Sequence, residues 1–148
     1  MSLAYNSINE LTSASGPWGS GTIAYDSVGN INSYILGAAQ RTYTYSSNRL
    51  STFNSQSFSY DGYGNVISDG IHAFQYDDAS NLTCVDCPAI AYAYDGNNRR
   101  VSRTQNGATT YQVHASNGDL LLEYTPSTNV TVEHIYLQGK RIATKTYH

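Results

Sequence analysis

Tyr60-Asp61-Gly62-Tyr63-Gly64-Asn65-Val66 is one copy of a phrase that recurs along the chain, as Tyr25-Asp26-Ser27-Val28-Gly29-Asn30-Ile31 and as Tyr76-Asp77-Asp78-Ala79-Ser80-Asn81-Leu82. Self-similarity at a short period means one supersecondary unit copied in series. Looser copies start at Tyr5, at Tyr45 (one residue short), at Tyr94 (one residue long, ending at Val101) and at His114, where histidine stands in the tyrosine slot. The seven first positions are 5, 25, 45, 60, 76, 94 and 114, a spacing that holds two ordinary strands and two turns.

The unit reads as a hairpin. An aromatic stands two residues before the tyrosine at Tyr43, Phe58, Phe74 and Tyr92. Alternate strand positions share a face, so each such pair should stack two rings on one side of a sheet. The next residue, Asp26, Asp61, Asp77 or Asp95, can accept backbone N–H groups in an Asx turn. Gly29, Gly64 or an asparagine three residues later supplies positive φ, and an aliphatic residue restarts the strand. Between these turns lie others. Asn106-Gly107 is a two-residue hairpin signal that sets Gln105 opposite Ala108 and Arg103 opposite Thr110. Ser13 to Gly21 and Cys84 to Ala89 read as longer tips.

No apolar stripe of helical period is present, so the fold class is all-β: serial antiparallel hairpins forming a curved sheet. Fourteen tyrosines, twelve glycines and 13% charged residues fit aromatic ladders between polar turns. At 148 residues the chain is expected to be a single domain, 1–148, with a real core, its first four residues vector-derived or disordered. No stretch reaches membrane-spanning length, and Met1 to Glu10 has neither the basic start nor the apolar run of a signal peptide.

Charge is uneven. Residues 1–96 carry eight acidic against two basic side chains, and residues 97–148 three against six. Arg99, Arg100, Arg103, Lys140, Arg141 and Lys145 are candidates for a nucleic-acid patch, but six charges on two separate segments read as solvated surface, and no nucleic-acid partner is expected. Cys84-Val85-Asp86-Cys87 has the spacing of a local disulfide clip or reduced pair at a hairpin tip, of half a zinc site, or of a redox dithiol. No second cysteine pair completes a zinc set, so no metal or cofactor is expected. His72, His114, His134 and His148 assemble no catalytic phrase, and the aspartates are accounted for as turn caps, so no catalytic residue is assigned and the chain is expected not to be an enzyme. Trp18, in a glycine-rich tip, is a candidate for local packing or for a sugar anchor.

The phrases at Tyr25, Tyr60 and Tyr94 resemble the YD repeats of Rhs proteins, insecticidal toxin-complex shells and teneurins. Residues 114–148, with Glu133-His134-Ile135-Tyr136-Leu137-Gln138-Gly139-Lys140-Arg141, resemble the segment near the C-terminal end of that repeat core. The resemblance implies a structural slice of a larger β-shell, secreted or at the cell surface, that encloses a C-terminal toxin or effector domain. Its partners would be the rest of the shell and that domain. The working residues would be Tyr25, Tyr45, Tyr60, Tyr76 and Tyr94, with Asp26, Gly29, Asp61, Gly64, Asp77 and Asp95 at the turns. A carbohydrate or cell-surface binding module using exposed tyrosines is the alternative. A slice with unpaired strand edges is expected to self-associate, by strand addition or by exchange of a terminal hairpin.

Overall fold

The computed structural model describes all residues, 1–148, as seventeen strands and no helix. Chain order and sheet order coincide, and every resolved ladder is antiparallel. The first sheet runs β1 (Ser2–Tyr5), β2 (Leu11–Gly16), β3 (Gly19–Tyr25), β4 (Ile31–Leu36), β5 (Ala39–Ser46), β6 (Arg49–Phe53) and β7 (Gln56–Ser57). The short strands β8 (Ser59–Tyr60) and β9 (Val66–Ser68) pair only with each other. The second sheet runs β10 (Phe74–Tyr76), β11 (Leu82–Val85), β12 (Ile90–Tyr94), β13 (Arg100–Gln105), β14 (Ala108–His114), β15 (Leu120–Thr125), β16 (Val130–Leu137) and β17 (Lys140–Tyr147).

Three expectations about organisation change. The chain divides into two compact units rather than one, residues 1–60 with 68–71, and residues 61–67 with 72–148. The ladder is carried between residues 57 and 74 only by strands of two or three residues, too short to continue a sheet. The N-terminal residues are neither disordered nor idle, because Ser2–Tyr5 pairs with β2. A closed core is absent: no side chain is fully buried, and Cys84, Gln112 and His134 alone count as buried. Sheet order that follows chain order puts each strand beside its sequence neighbours, and stability must come from lateral links between adjacent strands.

Those links begin at the tyrosines. A β-bulge falls between the tyrosine and the residue before it at Tyr5, Tyr25, Tyr45, Tyr76 and Tyr94, and at His114. The same bulge precedes Tyr136, which opens a copy that the sequence pattern does not show. Each bulge sets two residues against one and disrupts the ladder locally. The kink also alters the expected ring stacking. The close ring contact in the first sheet is cross-strand, Tyr43 on Phe53 at 5.2 Å, rather than along one strand.

One copy differs in length from its reading and another is explained by its turn. The Tyr94 copy is not long: Asp95 N–H donates to Arg99 O, and Arg100, not Val101, stands opposite Tyr94. Arginine at the restart position hid this alignment. The Tyr45 copy is short because its turn is of another kind, a two-residue loop with Ser47 and Asn48 both at positive φ (50° and 60°). Of the expected long tips, Ser13 to Gly21 is zipped to a Pro17-Trp18 loop by Gly16 opposite Gly19, whereas Asp86 to Ala89 does form a four-residue tip that ends in a cis Cys87-Pro88 bond. The Asn106-Gly107 hairpin holds the register read from sequence, Gln105 opposite Ala108 and Arg103 opposite Thr110.

Candidate functional site

The repeat residues form a mechanical device. In the turn after Tyr25, Asp26 N–H donates to Asn30 O and Gly29 N–H to Asp26 O. Asp26 Oδ1 accepts Val28 N–H and Asn30 N–H, and Oδ2 accepts the Asn30 side chain, all within 3.0 Å. Asp61 and Asp77 make the same set with Tyr63 and Asn65, and with Ala79 and Asn81. Asp95 does so on Asn97 and Arg99, whose Nε lies 3.4 Å from its carboxylate. Asn6 plays the aspartate part in the first copy. Residue four of each turn takes positive φ: Asn9 (65°), Gly29 (88°), Gly64 (95°), Ser80 (62°), Asn98 (59°) and Gly118 (95°). Hydrogen bonds to the charged form hold these carboxyls below their ordinary value. The Asn30 side chain is the main cause at Asp26, Asn65 at Asp61, Asn81 at Asp77, and the Arg99 backbone N–H at Asp95.

The final asparagine of the phrase has a second task. Its Nδ2 carries two hydrogens, one for its own aspartate and one for the following turn. Asn30 reaches Asn48 Oδ1 (2.7 Å), Asn65 reaches Ser80 Oγ (3.1 Å), and Asn81 reaches Asn98 Oδ1 (2.9 Å). Arg99, in the asparagine slot, reaches Ala115 O at 2.6 Å.

Four tyrosine hydroxyls tie strands together. Tyr25 donates to Leu11 O, Tyr45 to Ile31 O, Tyr60 to Leu50 O and Tyr94 to Leu82 O, at 2.8–2.9 Å. Each acceptor is the restart residue across a bulge from the preceding tyrosine. Partial burial raises Tyr45 and Tyr94 above the ordinary phenol value, which keeps them neutral donors. Tyr76, half-buried at the end of β10, stands opposite the restart residue Leu82 across its bulge.

Past Tyr94 the second sheet changes chemistry. Arg100 lies over the Tyr92 ring (5.4 Å) and donates from Nε to Gln112 Oε1 (2.9 Å); Gln112 Nε2 donates to Glu123 Oε1 (2.9 Å). Glu123 Oε2 lies 3.2 Å from His134 Nε2, and Arg141 Nη1 lies 3.5 Å from His134 Nδ1. The row crosses six neighbouring strands, β12 to β17. Partial burial alone would raise Glu123, but hydrogen bonds from Gln112 and His134 outweigh it, and its carboxyl lies below the ordinary glutamate value. No buried side-chain polar atom is left without a partner. Both ring nitrogens of His134 face partners within the row, Nε2 toward Glu123 and Nδ1 toward Arg141.

The sequence named Arg100, His134 and Arg141 separately and missed Gln112 and Glu123. The available signal was a lone acid inside Leu120-Leu121-Leu122-Glu123-Tyr124. Of the remaining basic residues, Arg103 hydrogen-bonds Gln105 and Lys145 lies over Tyr147, 4.7 Å from its ring centre. His114 closes the His114–Leu120 pair at a bulge, and its turn lacks the aspartate; Asn117 and Asp119 bond each other instead.

Cys84 and Cys87 are joined by a disulfide, which removes both thiolates from metal binding. His72 instead pairs with Asp86 at 2.6 Å. The backbone N–H of Ala73 is the chief cause that lowers Asp86, followed by His72. No three His, Cys, Asp or Glu side chains are placed to share a metal ion. Trp18 folds over Gly16, where a Cβ would sit 2.7 Å from its indole nitrogen. It borders an open apolar cavity of about 270 Å³ with Leu11, Ala14, Ile23, Tyr34 and Leu36. No helix is long and apolar enough to cross a membrane.

No protein-family model matches the chain. Over 95 residues, 60% of its length, it is 36% identical to the tRNA nuclease WapA of Bacillus subtilis strain 168 and to the tRNA(Glu)-specific nuclease WapA of Bacillus subtilis subsp. natto. It is 35% identical over 95 residues to the tRNA3(Ser)-specific nuclease WapA of Bacillus spizizenii. The matched stretch is 4% of each of those proteins. These findings correct the family reading. The resemblance to Rhs, toxin-complex and teneurin repeats, and the placement of residues 114–148 near the end of such a core, are replaced by likeness to a small part of proteins named as tRNA nucleases.

Proposed function

We propose that this chain is a non-enzymatic structural segment of a larger protein: a ribbon of hairpins that builds a wall, while any catalytic work, such as the tRNA cleavage its relatives are named for, belongs to residues outside it. The observation that carries this reading is the repeated use of functional-looking side chains on the chain's own backbone. The turn aspartates are spent on N–H groups and the tyrosine hydroxyls on carbonyls. Both nitrogens of the best-placed histidine are occupied as well. The finer form of the reading is a wall that encloses a C-terminal effector domain. Its support is the sheet order, which lets units be added in line, and the lack of a closed core. A disulfide fits an oxidising compartment, which supports placement at the cell surface or beyond it.

Carbohydrate binding has less support. Four of the repeat hydroxyls are engaged, and the cavity beside Trp18 is almost wholly apolar, with few groups to orient a sugar.

Purified chain incubated with total tRNA at equimolar concentration should leave the tRNA intact on a denaturing gel. Cleavage that disappears in His134→Ala would overturn the non-enzymatic reading.

A further inference from the structure

Asparagine followed by glycine carries a latent reaction. With no Cβ to block the approach, the glycine nitrogen can attack the asparagine side-chain amide and close a cyclic imide. The chain holds two such pairs, Asn106-Gly107 and Asn117-Gly118. All four residues are exposed in turns, and both glycines take positive φ, 76° and 95°. The two pairs look alike in sequence, and their hydrogen bonds set them apart. Asn117 Oδ1 accepts Asp119 N–H (3.1 Å), its Nδ2 donates to Asp119 Oδ2 (2.7 Å), and Gly118 N–H donates to Ala115 O (3.0 Å). Both reacting groups are held there, and three bonds must break before they meet. Asn106 and Gly107 form the two-residue loop between Gln105 and Ala108, where neither the Asn106 side chain nor Gly107 N–H has a partner in the chain. A hairpin tip also opens locally at low cost.

We infer that Asn106 is a site of spontaneous deamidation and that the fold protects Asn117 from the same reaction. The Gly107 nitrogen gives up its proton to solvent and bonds to Asn106 Cγ. The bond from Cγ to Nδ2 breaks, and that nitrogen leaves as ammonia. Water then opens the imide at one of its two carbonyls, which yields aspartate or isoaspartate at position 106. One water is consumed, one ammonia is released, and no electrons change hands. Each event adds a carboxylate to residues 97–148, where six basic side chains outnumber three acidic ones. In the isoaspartate product the main chain runs through the former side chain, so one more carbon enters a loop of two residues. Each hydrogen bond that must break first slows the reaction about two- to tenfold, so the three at Asn117 should make it slower by about tenfold or more. This modification site goes beyond the wall reading and does not rest on it.

The intact chain, incubated at mildly alkaline pH and sampled over weeks, provides the test. Peptide mass spectrometry with electron-transfer fragmentation distinguishes asparagine, aspartate and isoaspartate at each position. In the folded chain, conversion at Asn106 should outrun conversion at Asn117 by about tenfold or more. In concentrated urea the protecting bonds are gone, and the two rates should agree within about threefold. Asp119→Ala removes the carboxylate that holds Asn117 Nδ2, and it should speed conversion at Asn117 about two- to tenfold while Asn106 keeps its rate. Equal rates at the two pairs in the folded chain would overturn the proposal. So would a folded chain that leaves Asn106 intact while the urea-treated chain converts, a preference for Asn106 that persists in urea, or an Asp119→Ala chain whose Asn117 converts no faster.

Discussion

The two sheets solve one problem with different chemistry. In the first, β1 to β7, neighbouring strands are tied by Tyr25 and Tyr45 hydroxyls on backbone carbonyls, and Tyr60 ties back to β6. In the second, a tie of that kind is made at Tyr94, and from β12 to β17 the strands are joined by the Arg100, Gln112, Glu123, His134 and Arg141 side chains. The change coincides with the copy in which His114 replaces tyrosine. A backbone tie needs one side chain and survives any substitution at its acceptor. A side-chain row needs every member, so it is stronger in sum and more fragile to single changes. Neither sheet buries a side chain fully, so these links stand where a packed core would in an ordinary domain.

The largest expected effect tests the ties as packing units. Tyr60→Ala should cost about 2–3 kcal/mol in urea unfolding, below the full cost for a buried ring because Tyr60 is only half-buried. A change near zero would mean that the tyrosines do not hold the first sheet. Next, Glu123→Ala should cost about 1–2 kcal/mol, since it strands Gln112 and His134. A double change of Glu123 and His134 to leucine that costs less than Glu123→Ala alone would show that the row matters by mutual satisfaction rather than by charge. Tyr60→Phe should cost about 1 kcal/mol, the worth of one hydrogen bond, and Tyr25→Phe should add to it independently.

Acid sharpens the comparison further. Asp26, Asp61, Asp77 and Asp95 all have lowered folded-state pKa values, so their contribution is complete above the unfolded-state value and is lost as pH falls below about 4 through the folded values. Three of these aspartates, Asp61, Asp77 and Asp95, lie in the unit of residues 61–67 and 72–148, and Asp26 lies in residues 1–60. Melting temperature followed from pH 6 downward should be flat until about 4 and then decline. A decline already complete by about pH 5 would mean that these aspartates do not set the acid limit. The smallest expected effect is a gain: His114→Tyr offers a hydroxyl toward the Arg100 carbonyl and should stabilise by up to about 1 kcal/mol. A loss would mean that the second sheet depends on histidine there.

Turn chemistry was legible because it is local. Asp26 and Asn30 are four residues apart, and every bond of that turn closes within the phrase, so composition and spacing suffice. Substitutions blurred the reading where one residue took another's part, as Arg99 and Arg100 do for asparagine and an aliphatic residue, or Asn6 for aspartate. The tyrosines were read as stacking rings when their hydroxyls do the tying, because a carbonyl ten to fourteen residues away carries no side-chain signature. The row from Arg100 to Arg141 was invisible for a related reason. Its members are set side by side by the register of successive ladders, three of them shifted by bulges at Tyr94, His114 and Tyr136 and two of them regular.

The sequence by itself determined that the chain is all strand, that hairpins follow one another in order, and where most turns fall, since those follow from φ preferences and hydrogen bonds within a few residues. Only the tertiary structure decided where one sheet stops and the next begins, which carbonyl each hydroxyl meets, and which polar side chains share a row. Those outcomes depend on the register between strands, and register is the sum of every bulge and turn along the chain rather than a property of any one phrase.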